Sequence, residues 1–321
     1  MSEHHTPVPP GLDGAVGLDI LLGLLDLREI GTSRVNITTT NEDLSPMAGS
    51  EATVFIGPSQ RQPHHRVFGG QVLAQSLMAA GRTLDLASDD PPRPVHSLHA
   101  YFMRPGDDTE PIRFAVERMR DGRSFSTRRV HAIQKGQPIL SLSASFQESA
   151  DGVDHQDPMP TVPGPEGLAS AIDLVAEVSP TFAESMRIRP VEIRHVEPMR
   201  VESDGAEGPS RQHVWMKAVG ELPDDPLVHA CVLAYASDFT LLEPIMRTHG
   251  LGYGDPRLRM ASLDHAMWFH RPVRMDQWVL YEQASPSAQG ARGLSLGKIF
   301  SRDGELVATV AQEGMIRIKR N

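Results

Sequence analysis

The stretch SLDHAMWFHRP offers five polar side chains that could take part in catalysis: Ser262, Asp264, His265, His270 and Arg271. A hydroxyl beside an imidazole can form a nucleophile and its base, and a carboxylate can act as a general acid or base. In a regular strand, however, Ser262 and His265 lie on opposite faces because successive side chains alternate. This alternation argues against a Ser–His nucleophilic pair from this stretch.

Two other residues, Asp238 and Gln312, combine a polar side chain with an apolar neighbourhood. Asp238 closes the apolar run from Leu227 to Phe239, where an unpaired carboxylate would be costly to bury. It therefore needs partners, a proton or a position at the surface. Gln312 falls on the apolar face of its strand, where a buried amide needs hydrogen-bond partners.

The elements that must position these residues occur twice along the chain. Alternating patterns separated by turns run from Ile112 to Gln147 and return from Trp278 onward, which predicts two antiparallel meanders. The strings SLHAYFMRP and SLDHAMWFHRP precede them. Ser97 and Ser262 are 165 residues apart, as are Gln147 and Gln312, and this indicates a duplicated domain. The separation grows to 167 at the Arg-Pro pairs, so the second copy has gained two residues, as β-bulges would add.

An apolar helical segment precedes each meander: GGQVLAQSLMAA in the first half and LVHACVLAYASDF in the second. The second follows Asp224-Asp225-Pro226, which suits an acidic N-cap with Pro in the first turn. Neither segment has a polar face, so each must be enclosed by the sheet of its own meander. The predicted fold is α+β: a double hotdog, two repeats each of a curved antiparallel sheet wrapped around a long central helix.

The chain is expected to divide into four parts. Residues 1–16 form a disordered N-terminal arm, residues 17–150 the N-terminal hotdog domain, residues 151–188 a linker, and residues 189–321 the C-terminal hotdog domain with the catalytic residues. The linker begins with the Pro- and Gly-rich string DPMPTVPGPEG and continues into a predicted short helix, LASAIDLVAEV. The run AVGLDILLGLLDLREIG predicts an amphipathic helix packed on the body.

Composition limits the partners. The 321 residues carry a formal net charge of -10, which argues against nucleic acid. A single cysteine, Cys231, excludes an intramolecular disulfide and a multi-cysteine metal site. The chain lacks a secretory signal and any stretch of about 20 apolar residues, so we expect a cytoplasmic protein that is not integral to a membrane. The open edges of hotdog sheets predict a homo-oligomer.

Six blocks of the sequence resemble the acyl-CoA thioesterase II family, the double-hotdog hydrolases of fatty acyl-CoA. They are RVFGGQVLAQ, VHSLHAYFMRPGD, RDGRSFSTRRVHAIQKGQPI, YASDF, SLDHAMWFHRP and VATVAQEGMIR, spread from about Leu18 to Arg317. The resemblance implies an acyl-CoA substrate and hydrolysis by water without metal or cofactor, using an acid, a Ser or Thr, and a Gln. By position these are Asp238, Ser262 and Gln312.

Such a trio suits a mechanism in which water attacks the thioester. We expect Asp238 to act as general base while Ser262 and Gln312 hold the water. Negative charge on the carbonyl oxygen would then need backbone N–H donors at a helix N-terminus. Gly69-Gly70 and the segment near His229 are both candidates.

Other polar residues are weaker candidates. His96 is more typical of a structural histidine than of a base, and Cys231 of a buried inert thiol. His4-His5 and His64-His65 lack the spacing of a metal site. Arg128-Arg129 could meet CoA phosphates, but alternation sends the two side chains to opposite faces, so at most one of them faces a given ligand.

Two other functions remain open. A hotdog hydratase acting on enoyl thioesters would need an Asp and a His that converge on the substrate, and neither helix offers such a pair. An inactive acyl-CoA-binding module would not need an acid, a hydroxyl and an amide together. The first half has Gln71 and Gln75 in the region where the second has Asp238, which predicts one active site per chain.

Overall fold

The structure is a computed structural model that describes residues 13–35, 50–84, 91–179, 183, 186 and 189–319. The helices are α1 (Asp13–Leu25), α2 (Gly69–Gly81), α3 (Ala171–Val178), α4 (Pro226–Ser237) and α5 (Glu243–Thr248), with a 3-10 turn at Pro165–Gly167. The strands are β1 (Arg28–Val35), β2 (Ser50–Gly57), β3 (Val95–Phe102), β4 (Ile112–Asp121), β5 (Phe125–Gln134), β6 (Gln137–Gln147), β7 (Val191–His195), β8 (Arg211–Ala218), β9 (Leu258–Ser262), β10 (Asp264–Phe269), β11 (Val279–Gln289), β12 (Arg292–Ser301) and β13 (Leu306–Ile318). Across these ranges, no helix has the length and apolarity that a membrane crossing requires.

The strands form one large antiparallel sheet whose order is nearly palindromic. One half runs β1-β2-β4-β5-β6-β3 and the other β10-β13-β12-β11-β8-β7, with β9 also paired to β13. The predicted meanders are confirmed as β4-β5-β6 and β11-β12-β13. The halves meet where β3 pairs with β10, from Ser97 opposite Trp268 to Tyr101 opposite Asp264. The two repeated strings of the sequence therefore lie side by side at the centre of the sheet.

Matching irregularities show which positions of the two halves are equivalent. A β-bulge interrupts the β5–β6 pairing after Ala132 and the β12–β13 pairing after Ile299. These residues are 167 apart, and their partners Leu140 and Ala308 are 168 apart. Because a bulge is a specific local feature, its recurrence at the same place indicates that the two meanders superpose with these offsets.

Helices α2 and α4 lie side by side in the interior and run in opposite directions. A Cβ at Gly70 would lie 2.4 Å from the Tyr235 carbonyl oxygen, and one at Gly81 would lie 2.5 Å from the Leu227 side chain. Glycine at both ends of α2 therefore permits the close approach of α4. The expected N-cap of α4 is confirmed, because the Asp225 carboxylate accepts the Leu227 N–H at 2.8 Å. Because Gly70 lies against Tyr235 and Gly81 against Leu227, the C-terminal end of α4 meets the N-terminal end of α2.

The N-terminal elements differ in part from the sequence expectation. Helix α1 begins at Asp13, inside the expected arm 1–16, and residues 1–12 lie outside the described part. The expected continuation of this helix through Gly31 is wrong, because residues from Arg28 onward pair with β2 as an edge strand. The short helix expected after the Pro-rich string is confirmed as α3.

Candidate active site

Asp238 caps the C-terminal end of α4 and lies in the interior, partly exposed. The apolar length of α4 keeps the helix buried, so the residue that ends it is carried inside as well. A Cβ at Gly69 would lie 2.6 Å from Asp238 Oδ2, and glycine there leaves room for the carboxylate. Of the alternatives that the sequence left open for this carboxylate, hydrogen-bond partners are present in the structure, and the side chain is only partly exposed.

The structure brings the three expected site residues together from three elements. Ser262, at the end of β9, donates its hydroxyl to Asp238 Oδ1 at 3.3 Å. Gln312, on the buried face of β13, donates from Nε2 to the same oxygen at 3.0 Å and to Ser262 Oγ at 2.7 Å. A carboxylate, a hydroxyl and an amide therefore form a closed triangle of hydrogen bonds.

The carboxylate of Asp238 is poised to exchange a proton. Burial raises its pKa from 3.8 to about 6, because the charged form loses contact with water. Hydrogen bonds from Gln312, Ser262 and the Gly70 N–H oppose this rise by favouring the charged form. The result is a carboxylate that is ionised at neutral pH and still basic enough to accept a proton.

His265 corrects one sequence expectation, since it lies on the same side as Ser262. Its Nδ1 contacts Gln312 Oε1, while Gln312 Nε2 contacts Ser262. Ser262 pairs with Gly314, and Ala266 pairs with Ala311. The four residue steps from Ser262 to Ala266 therefore lie opposite only three residue steps on β13. This β-bulge at the β9–β10 junction reverses the alternation. The extra residue of SLDHA relative to SLHA was the signal for it.

The other polar residues of this stretch have structural partners. Asp264 accepts the backbone N–H of Glu313 at 2.7 Å. His270 contacts Thr309 Oγ1 at 2.8 Å on the exposed side. Arg271 pairs with Asp154, which follows β6 along the chain. None of these three contacts Asp238 or Gln312.

Of the two expected N–H donor sites, only Gly69-Gly70 adjoins Asp238. The Gly70 N–H is itself a hydrogen-bond donor to the Asp238 carboxylate. His229 lies nine residues earlier on α4, which at 1.5 Å per residue is about 13 Å away. Its Nδ1 instead accepts the Met275 N–H at 3.1 Å. The segment near His229 is therefore not part of this site.

The weaker candidates occupy structural positions. His96 Nε2 lies 2.8 Å from Ser145 Oγ, and burial raises the pKa of Cys231 well above its ordinary value. Arg128 is buried and donates to Asp121 at 2.7 Å, while Arg129 is exposed, as alternation predicts. Among the described residues, no group of three or more His, Cys, Asp or Glu side chains is arranged to hold a metal. His4-His5 lies outside the described residues.

A cavity of about 180 Å³ adjoins the site on the side of Phe68 and Phe239. These two rings stack with centroids 4.6 Å apart, and each is a sequence neighbour of a site residue. Glu243 lines the cavity and accepts from His195 at 3.0 Å and from Tyr253 at 3.0 Å. The sequence analysis did not predict the buried pair of Glu243 and His195, because the two residues come from α5 and β7, which are distant in the sequence.

Comparison with known proteins assigns the chain to a family. A family model described as acyl-CoA thioesterase matches residues 184–315, and one described as acyl-CoA thioesterase N-terminal domain matches residues 58–147. Acyl-CoA thioesterase 2 of Haemophilus influenzae is 40% identical over 269 residues, which are 82% of this chain and 92% of that protein. This chain belongs to the acyl-CoA thioesterase family.

Solved structures agree with the family and with the fold. Acyl-CoA thioesterase II TesB2 from Mycobacterium marinum is 40% identical and superposes with a TM-score of 0.70, covering 93% of this chain and 98% of that one. A protein with a hot dog fold from Alicyclobacillus acidocaldarius gives a TM-score of 0.69 at 16% identity, covering 94% and 99%. The second likeness concerns the fold alone, and it matches the antiparallel sheet with its few helices.

Proposed function

We propose that this chain hydrolyses fatty acyl-CoA to a free fatty acid and CoA, with Asp238, Ser262 and Gln312 as its catalytic residues. The observation that carries the proposal is the carboxylate of Asp238, which has a pKa of about 6 and bonds to both other residues. Membership of the family supports the acyl-CoA substrate. The relatives from Haemophilus influenzae and Mycobacterium marinum are both named acyl-CoA thioesterases.

In the proposed reaction, Asp238 takes a proton from a bound water while the water oxygen attacks the thioester carbonyl carbon. The carbonyl oxygen gains the negative charge of the tetrahedral intermediate. When the intermediate collapses, the carbon–sulfur bond breaks and the sulfur leaves with the proton that Asp238 took up. The fatty acid and CoA are released, and Asp238 returns to its ionised state.

Ser262 and Gln312 orient the water and the base in this scheme. Both donate to Asp238 Oδ1, which fixes the carboxylate plane, and Ser262 Oγ can also contact the water. The carbonyl oxygen would accept from the first turn of α2 at Gly69, where backbone N–H groups point outward from the helix start. Gly70 already donates to Asp238, so Gly69 is the donor that we assign.

The proposal includes the double-hotdog organisation with one active site per chain. Residues 17–150 and 189–321 form one hotdog each, around α2 and α4 as central helices, and residues 151–188 link them. The palindromic strand order and the separate family matches to 58–147 and 184–315 support this division. Calorimetric titration with a non-hydrolysable acyl-CoA thioether should give one binding site per chain, and two sites would contradict the asymmetry.

A cytoplasmic homo-oligomer remains our prediction for the assembled protein. The terminal strands β1 and β7 each have a neighbour on one side in the sheet order, which leaves an edge that a second copy can cover. The buried thiol of Cys231 is compatible with a reducing compartment. Light scattering of the purified protein should report a multiple of the chain mass, and a monomer would contradict the oligomer.

The experiment that tests the proposal measures thiol release from palmitoyl-CoA beside hydration of crotonyl-CoA. We expect thiol release without hydration. Hydration alone would favour a hydratase, although His265 is enclosed between Ser237 and Gln312 and cannot reach a substrate. Acyl-CoA binding without either reaction would favour a binding module.

A further inference from the structure

His265 is a fully buried histidine at the site that the proposed reaction does not use. Its two ring nitrogens have different partners: Nε2 lies 2.9 Å from Ser237 Oγ, and Nδ1 contacts Gln312 Oε1. Gln312 in turn donates from Nε2 to Asp238 and Ser262. A continuous hydrogen-bonded chain therefore runs from the last turn of α4 through His265 to the base.

The chemistry of each group fixes the direction of this chain. An amide has an oxygen that only accepts and an NH2 group that only donates, and the ionised carboxylate of Asp238 requires the NH2 side. Gln312 must then present its oxygen to His265, which can satisfy it only with a proton on Nδ1. Burial lowers the pKa of His265 to about 4, so the ring is neutral and carries a single proton. Nε2 is therefore left as an acceptor, and it receives the single proton of the Ser237 hydroxyl, for which the Ala234 carbonyl oxygen at 2.9 Å is the alternative acceptor.

We propose that His265 is a positioning residue: as the Nδ1–H tautomer, held by Ser237, it fixes the orientation of the Gln312 amide towards Asp238 and Ser262. If the amide turned over, its oxygen would face the carboxylate and its NH2 group would lose Asp238. An unheld amide would sample both orientations, and only one of them supports the base. This inference rests on the proposed function for its effect on turnover but not for its geometry.

The first half of the chain supplies a matched design for testing it. Leu140 pairs with Phe102, and its equivalent Ala308 pairs with Phe269, so β3 and β10 superpose with an offset of 167. Leu98 is then the residue equivalent to His265, and it is fully buried as well. Leucine is therefore compatible with this place in the sheet. His265→Leu should fold while removing both hydrogen bonds of the ring.

The kinetic arm compares three variants with palmitoyl-CoA as substrate. His265→Leu should lower kcat by about ten- to a hundredfold, as loss of an orienting partner does, with little change in KM. His265→Asn should recover most of that loss, because the Asn amide nitrogen occupies about the place of Nδ1. His229→Leu, a buried histidine at the far end of α4, is the control and should retain kcat. Equal kcat for His265→Leu and wild type, or a failure of Asn to improve on Leu, would overturn the proposal.

The spectroscopic arm needs no turnover. Histidine labelled with 15N distinguishes the tautomers by which ring nitrogen bears the proton, and comparison with His265→Asn assigns the resonance among the 14 histidines. We expect a neutral ring protonated on Nδ1 at pH 7, and a ring protonated on Nε2 would overturn the proposal. If wild type lacks thioesterase activity but shows the Nδ1–H tautomer, the proposed function fails while the positioning geometry stands.

Discussion

The two halves of the sheet carry different pairs of side chains at the same place. In the first half Leu98 on β3 lies opposite Ala144 on β6, and both are buried. The bulge offsets of 167 and 168 carry this pair onto His265 and Gln312, which contact each other across β10 and β13. An apolar pair in one half therefore corresponds to a hydrogen-bonded pair in the other.

The two halves therefore share the meanders and the bulges of the sheet, while only the second half has polar groups at this place. A polar pair can replace an apolar one only where every buried donor and acceptor finds a partner. Asp238, Ser262 and Ser237 supply those partners in the second half.

The largest expected effect is the loss of the proposed base. Asp238→Asn should lower kcat on palmitoyl-CoA by about 10²- to 10⁴-fold, because general base catalysis contributes that range. Steady-state kinetics of the purified variant would measure it. The matched control is Asp121→Asn in the first half, where the carboxylate pairs with Arg128. Near-normal turnover of Asp238→Asn would remove this residue from the mechanism.

A smaller loss of kcat is expected from the two residues that we propose orient the base and the water. Ser262→Ala and Gln312→Ala should each lower kcat by about ten- to a hundredfold, the effect of one or two hydrogen bonds. The sequence-matched variants Ser97→Ala and Gln147→Ala in the first half should leave kcat unchanged. Equal losses in both halves would mean that the kinetic effect comes from the fold and not from the site.

The smallest expected effect is on stability. The pKa of Asp238 is about 6 in the folded chain against 3.8 as reference, so the charged form is disfavoured by folding. The free energy of unfolding should therefore fall as pH rises from about 4 to 6. Asp238→Asn has no charge to bury. The pKa shift corresponds to about 3 kcal/mol, which the partial exposure of the side chain reduces, so the variant should be about 1–2 kcal/mol more stable than wild type at pH 8, and less so near pH 4. Urea unfolding at both pH values measures the gap, and a destabilised variant at pH 8 would contradict it.

The sequence was sufficient for features that depend on local patterns. The meanders, α2, α3, α4 and the Asp225 N-cap followed from alternation, apolar runs and capping chemistry. The separation of 165 between Gln147 and Gln312, however, is not the structural one, because the meanders superpose with an offset of 168 on β6 and β13. The position of His265 also depends on one bulge, and the Glu243–His195 pair on packing between distant elements. Alternation alone predicts neither.

The pH dependence of kcat/KM tests most directly the claim that Asp238 is a base tuned by its neighbours. For wild type we predict a rate that rises with pH and levels above an apparent pKa of about 6. In Gln312→Ala the midpoint should move upward, because the lost hydrogen bond had lowered the pKa of Asp238. A flat profile between pH 5 and 8, or the same inflection in Asp238→Asn, would contradict the claim.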